Sequence, residues 1–165
     1  MLNFALQNVK AMYQVLLPLH SLFRWLLVAG VIFSMGRSVW ALYAKTGYQP
    51  IDRILRSATS GISHVQLIIG LILYVKSPLV TYLRSNPQEA LAYMDVAFFG
   101  IFHLASMVLA ILLITIGAAK AKRAPSDREK YLQVLRWFGL AVLLILVAIP
   151  WPFSPYAARP YFRMF

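Results

Sequence analysis

Four stretches of mostly apolar residues, at about 15–36, 54–75, 96–118 and 133–149, decide most of what this chain can fold into. Each is close to the length that a helix rising about 1.5 Å per residue needs to cross a hydrocarbon layer roughly 30 Å thick. No water is present in that layer to satisfy the backbone, so segments of this length must be helical. Hydrophobic residues make up 61% of the chain and charged ones 13%, with a mean hydropathy of +0.69. That leaves too little polar surface to cover a water-soluble fold. The expectation is an all-α integral membrane protein, a single four-helix bundle over residues 1–165.

The connections support this division. Residues 1–14 lack an apolar core and a basic start, so they read as an interfacial N-terminal arm and not as a cleaved signal peptide. Lys76 to Asp95, with Pro78 and Pro87, reads as an interfacial loop with a short helix, and Lys120 to Lys130 as a solvated turn. Pro150, Trp151 and Pro152 stop the last span, and the aromatic tail from Pro150 to Phe165 suits a membrane surface. Ten basic residues lie in the two hairpin turns and their flanks, between Arg37 and Arg56 and between Lys120 and Arg136. Five lie on the opposite side: Lys10, Lys76, Arg84, Arg159 and Arg163. The bias of basic residues toward the cytoplasm therefore predicts cytoplasmic turns and two periplasmic termini in a bacterial inner membrane. A net charge of +11 is accounted for by topology and anionic lipid, and its dispersal over two loops argues against nucleic acid as a partner.

All three histidines of the chain fall inside spans. On these boundaries His20 lies roughly 7 Å, His103 roughly 10 Å and Arg24 roughly 14 Å below the outer face, with His64 near mid-span. Ionisable residues at such depth face the bundle interior, a partner or a cofactor. Taken singly, each histidine is better explained by hydrogen-bonded packing than by ligation; three on three successive spans point to a shared site.

The chemistry of that site is restricted. With no cysteine, the chain by itself forms no disulfide, thiolate zinc site, iron–sulfur cluster or c-type haem attachment. No carboxylate lies in a span, and the nearest sulfur to His103 is Met107, one turn away. A four-helix bundle does accommodate a porphyrin with axial imidazoles from facing helices, which makes haem b the expected cofactor and His64 with His103 the expected metal ligands. His20 with His103 is the alternative pair. Arg24 has no acidic residue at its depth, so a haem propionate would serve as its counter-ion; snorkelling, a lipid phosphate or a partner subunit are the alternatives.

LHSLFRWLL in the first span, SHVQLIIGLILYVKSP in the second, FHLASMVLAILLITIGAAKAKRA in the third and the closing LLILVAIPWPF resemble the small four-helix membrane proteins of Bacteroidota-type bacteria that carry the label "cytochrome B". The resemblance runs from about residue 16 to 153 and departs at Phe102, where that family often has an acidic residue before the histidine. It implies a haem-b or quinone-linked respiratory role. The chain is then expected to be a non-catalytic electron-transfer subunit with protein partners in a membrane complex, haem b as cofactor and a quinone as a second possibility. The alternative is a cofactor-free accessory subunit of a larger assembly. A transporter fits least, since the chain has neither an inverted repeat nor an acidic residue in a span.

Overall fold

The computed structural model describes residues 2–163. Among them all regular structure is helical: α1 (Leu2–Tyr43), α2 (Pro50–Lys76), α3 (Pro78–Ser85), α4 (Pro87–Ala90), α5 (Met94–Ala97), a π-helical turn (Phe98–Phe102), α6 (His103–Arg123) and α7 (Asp127–Ala148). Four stretches are long and apolar enough to cross a membrane: Ala11–Tyr43, Pro50–Lys76, Met94–Arg123 and Asp127–Ala148. They form a four-helix bundle closed as a ring, in which α1 packs on α2 and α7, and α6 packs on α2 and α7. Large side chains on the outside are apolar, among them Phe33 (64% exposed) and Val147 (80% exposed), a surface that suits lipid and not water.

Each helix runs further than its apolar stretch, and the ends explain why. α1 continues through residues 2–14 without a break, so the N-terminal arm is helical and belongs to the first span. At about 1.5 Å per residue its 42 residues reach roughly 60 Å, twice the hydrocarbon thickness. α2 begins at Pro50, a residue suited to the first helical position, where the Asp52 carboxylate accepts from the Gln49 N–H at 2.7 Å. α7 begins at Asp127 because the Ser126 hydroxyl accepts from the Glu129 N–H at 3.2 Å and Asp127 and Glu129 sit in the positive first turn. Only residues 124–126 remain non-helical of the turn expected from Lys120 to Lys130. The long connection holds three short helices instead of one, two of them started by proline.

The buried core joins Leu27, Val28 and Val31 of α1, Ala110, Ile114 and Ala121 of α6, and Val134, Phe138, Ala141 and Ile145 of α7. α2 differs. Its buried face carries Asp52, Arg56, Thr59, Ser63 and Gln66 at every third or fourth position before Ile69 and Leu73 complete it. Small hydroxyl residues let helices approach closely inside a membrane. The Ser34 and Thr59 hydroxyls meet at 3.2 Å, and a side chain at Gly30 would come within 2.8 Å of Thr59 Oγ1.

The end of the bundle that bears the two short turns is tied by a buried knot. Asp52 accepts from Arg37 Nε at 2.7 Å, from the Tyr131 hydroxyl at 2.7 Å and from the Gln49 N–H. Asp127 adds a bond from the Tyr48 N–H at 2.9 Å and an ion pair with Lys130 at 2.7 Å. The opposite end, bearing the termini, is where the cavity lies.

Candidate functional site

The site starts from a local irregularity. Immediately before His103 the chain makes one π-helical turn, Phe98–Phe102, with the His103 N–H bonded to the Phe98 carbonyl five residues back. Such turns insert a residue into a helix and change the direction in which the next side chains project. Gly100 at its centre lies against Leu83, and its carbonyl accepts from the Tyr74 hydroxyl at 3.0 Å. His103 therefore leaves the turn pointing toward the end of α7, where its Nδ1 donates to the Ala148 carbonyl at 2.8 Å. That carbonyl is free because Pro150 and Pro152 end the helix there.

His20 comes to the same place from α1. Its ring lies over Gly70 of α2, where a side-chain carbon would sit 3.2 Å from His20 Cε1, so only glycine leaves the ring room without a shift. Gln66, one turn earlier on α2, donates from Nε2 to the His20 carbonyl at 3.0 Å, which sets the orientation of its amide. The same Nε2 lies 3.3 Å from His20 Nε2. His20 Nε2 is thus an acceptor, and its Nδ1, which carries the proton, is buried with no partner. The rings of His20 and His103 stand edge to face, with centroids 6.4 Å apart and planes at 63°.

The two histidines line a cavity of about 480 Å³ between the ends of α1, α2, α6 and α7. Leu17, Leu27, Leu67, Phe99, Met107 and Ile145 are among its apolar walls. Pockets of this size bind drug-sized and cofactor-sized molecules. Arg24, one turn beyond His20, also lines it. Its Nη2 donates to Ser21 Oγ at 3.2 Å and to the Tyr161 carbonyl, and its Nε is buried without a partner.

The structure brings together His20, His103 and Arg24, and separates His64 from them. The expected pair of His64 with His103 is corrected on this point. His64 lies on the exposed face of α2, where its Nε2 donates to Thr115 Oγ1 at 2.9 Å; the Thr115 hydroxyl in turn donates to the Ile111 carbonyl. Thr115 is three turns of α6 away from His103, roughly 18 Å along the helix axis, far too distant for a shared ligand. Packing accounts for His64, and the alternative pair, His20 with His103, is the one that meets.

The roles of several participants depend on contacts between elements. Gln66 and Gly70 matter only because α2 faces α1 in this register. Arg24 and Trp25 share a partner in the C-terminal tail, which folds back over the end of the bundle. Trp25 Nε1 donates to the same Tyr161 carbonyl at 2.8 Å, and the rings of Trp25 and Phe162 lie 5.6 Å apart. The tail thereby puts Arg159, Pro160 and Arg163 on the cavity wall.

A group of three or more histidine, cysteine or carboxylate side chains able to hold a bare metal ion is absent among the described residues. A metal carried by a macrocycle has a different requirement, since the macrocycle supplies the equatorial donors and the protein needs only one or two axial ones. His103 fits such a role, with Nδ1–H tied to a backbone carbonyl and Nε2 left as a lone pair. His20 fits it once its ring turns from Gln66, a contact at the long end of hydrogen bonding. Comparison of the chain with protein-family models, with curated proteins and with solved structures finds no match to any of the three.

Proposed function

We propose that this chain is a membrane electron-transfer subunit that holds haem b in the cavity between His20 and His103. The observation that carries the reading is the pair of imidazoles whose centroids lie 6.4 Å apart, edge to face, in an apolar pocket. Two imidazoles that each place a nitrogen about 2 Å from one metal have ring centres roughly 6 Å apart. His103, with Nδ1–H tied to the Ala148 carbonyl, would hold the haem through Nε2, and His20 would hold it through Nε2 once its ring turns from Gln66. Arg24 would meet a propionate with its guanidinium. When bound, haem would supply one-electron iron chemistry, and ligation by two histidines would favour electron transfer over oxygen chemistry. The residues of the chain therefore bind, orient and exclude water, and the electrons pass to and from protein partners in the membrane.

The balance of basic residues supports a reading in which the turn end, with Asp52 and Asp127, faces the cytoplasm and the cavity faces the periplasm across a bacterial inner membrane. A quinone is a second occupant with a specific observation in its favour: the Gln66 contact leaves His20 with Nδ1–H, a donor suited to a quinone carbonyl. A dithionite-reduced minus oxidised spectrum of protein purified from its native membrane separates the readings. Sharp b-type bands support haem. A featureless spectrum with co-purifying quinone supports the second occupant, and a featureless spectrum without it supports a cofactor-free accessory subunit.

A further inference from the structure

Three arginines, Arg24, Arg159 and Arg163, line the cavity. Among the described residues the ion pairs are Arg37–Asp52 and Lys130–Asp127, both at the other end of the bundle. Cationic side chains lining an apolar cavity attract an anion more strongly than they would in open water. The atoms around Arg24 are arranged for exchange. Its Nε is buried without a partner, and its Nη2 is met only by a serine hydroxyl and by the Tyr161 carbonyl, neutral acceptors that a carboxylate outcompetes.

The tail that brings the other two arginines is built to stay extended and close. Pro150, Pro152, Pro155 and Pro160 keep it out of a helix. Trp151 anchors its start, with Nε1 donating to the Leu146 carbonyl at 2.7 Å and its ring 6.1 Å from that of Trp25. Arg159 lies over the Phe99 ring at 5.0 Å, which holds the guanidinium at the edge of the cavity beside the π-helical turn.

We propose that Arg24, Arg159 and Arg163 form one anion-recognition site, closed by the C-terminal tail, that grips the acidic head of an amphiphile whose apolar body fills the cavity. The Tyr161 carbonyl occupies the place of that head at Arg24 until the ligand displaces it. The tail is therefore half of the binding site. Its ligand class is a molecule with an apolar body and a carboxylate or phosphate head, supplied either by the cofactor or by an anionic lipid. Where the head is a propionate, the inference rests on the haem reading above.

The test compares the native chain with Arg159→Gln/Arg163→Gln and Arg159→Lys/Arg163→Lys, each purified in neutral detergent. The probes are haem and haem dimethyl ester, which has the same macrocycle without the two acids. The native chain is expected to prefer haem by about tenfold or more, the Gln pair to lose that preference, and the Lys pair to keep most of it. Equal binding of both porphyrins by the native chain, or an unchanged preference in the Gln pair, overturns the proposal for a cofactor head. If the native chain binds neither porphyrin, the haem reading fails, and oleate against oleyl alcohol decides the anion site by itself. A rise in thermal midpoint with oleate alone, lost in the Gln pair, supports a lipid head; equal shifts with both overturn the proposal.

Discussion

Removing the Asp52 carboxylate is expected to loosen the bundle without touching the proposed cofactor site. Asp52 is 5% exposed and accepts from Arg37, Tyr131 and the Gln49 backbone, each at 2.7 Å. Hydrogen bonds to a charged group contribute about 1.5–3 kcal/mol each, though bonds that share one acceptor do not add in full. Arg37 keeps a side-chain exposure of 21%, so water recovers part of its loss, whereas Tyr131 is 1% exposed and its hydroxyl keeps only the Gly47 carbonyl at 3.0 Å. Asp52→Ala is therefore expected to cost about 3–5 kcal/mol, and Asp52→Asn, which keeps the shape and one acceptor oxygen but loses the charge and the second acceptor, about 1–3 kcal/mol. Titration of the detergent-solubilised protein with dodecyl sulfate, followed by helical circular dichroism, measures the loss. Below the unfolding transition the visible spectrum is expected to be unchanged, since the knot and the histidine pair lie at opposite ends of the bundle. Wild-type stability in Asp52→Ala, or loss of the cofactor while the helices remain folded, would refute the division into a structural end and a functional end.

Other substitutions probe the site and its supports. His64→Ala is expected to leave any low-spin spectrum in place and His20→Ala to remove it; the reverse result restores His64 as the ligand. Gln66→Leu frees His20 Nε2 and is expected to raise haem affinity several-fold in a titration of the apoprotein, whereas a fall would make Gln66 a required support. Gly30→Ala crowds Thr59 Oγ1 and is expected to destabilise by about 1–3 kcal/mol, with most of that recovered in Gly30→Ala/Thr59→Ala. Arg24→Gln removes a cation that favours the reduced state, so the midpoint potential is expected to fall, on the order of tens of millivolts; an unchanged potential in loaded protein would place the guanidinium away from the haem.

The four spans were legible because hydropathy over some twenty residues reports the lipid environment directly. Helix ends were less so, since α1, α2 and α7 extend past their apolar stretches into polar sequence stabilised by caps such as Ser126 and Pro50. The partnership of the histidines was legible only to the level of depth. His20, His64 and His103 all lie within spans, but depth says nothing of which face a side chain takes, and both faces of these helices are rich in apolar residues. The facing of His103 depends on a π-helical turn, a shift of one residue that the run FFGIF does not announce. The buried polar positions of α2 did stand in the sequence at helical spacing, from Asp52 through Arg56, Thr59 and Ser63 to Gln66. In a membrane span that row marks the inward face, and it excludes His64, which lies one residue beyond Ser63 and projects about 100° around the helix from it. The tail was legible as an aromatic, proline-rich segment suited to a membrane surface. Its return to Trp25 and Arg24 is a long-range contact that no local pattern encodes.

The most direct test of the central reading is the visible spectrum of the native-source protein beside that of His103→Ala, both verified as folded by circular dichroism. The account predicts sharp reduced-minus-oxidised b-type bands in the native protein at close to one haem per chain, and their loss in the variant. Bands that persist at full strength in folded His103→Ala, or a native protein free of haem, would contradict it.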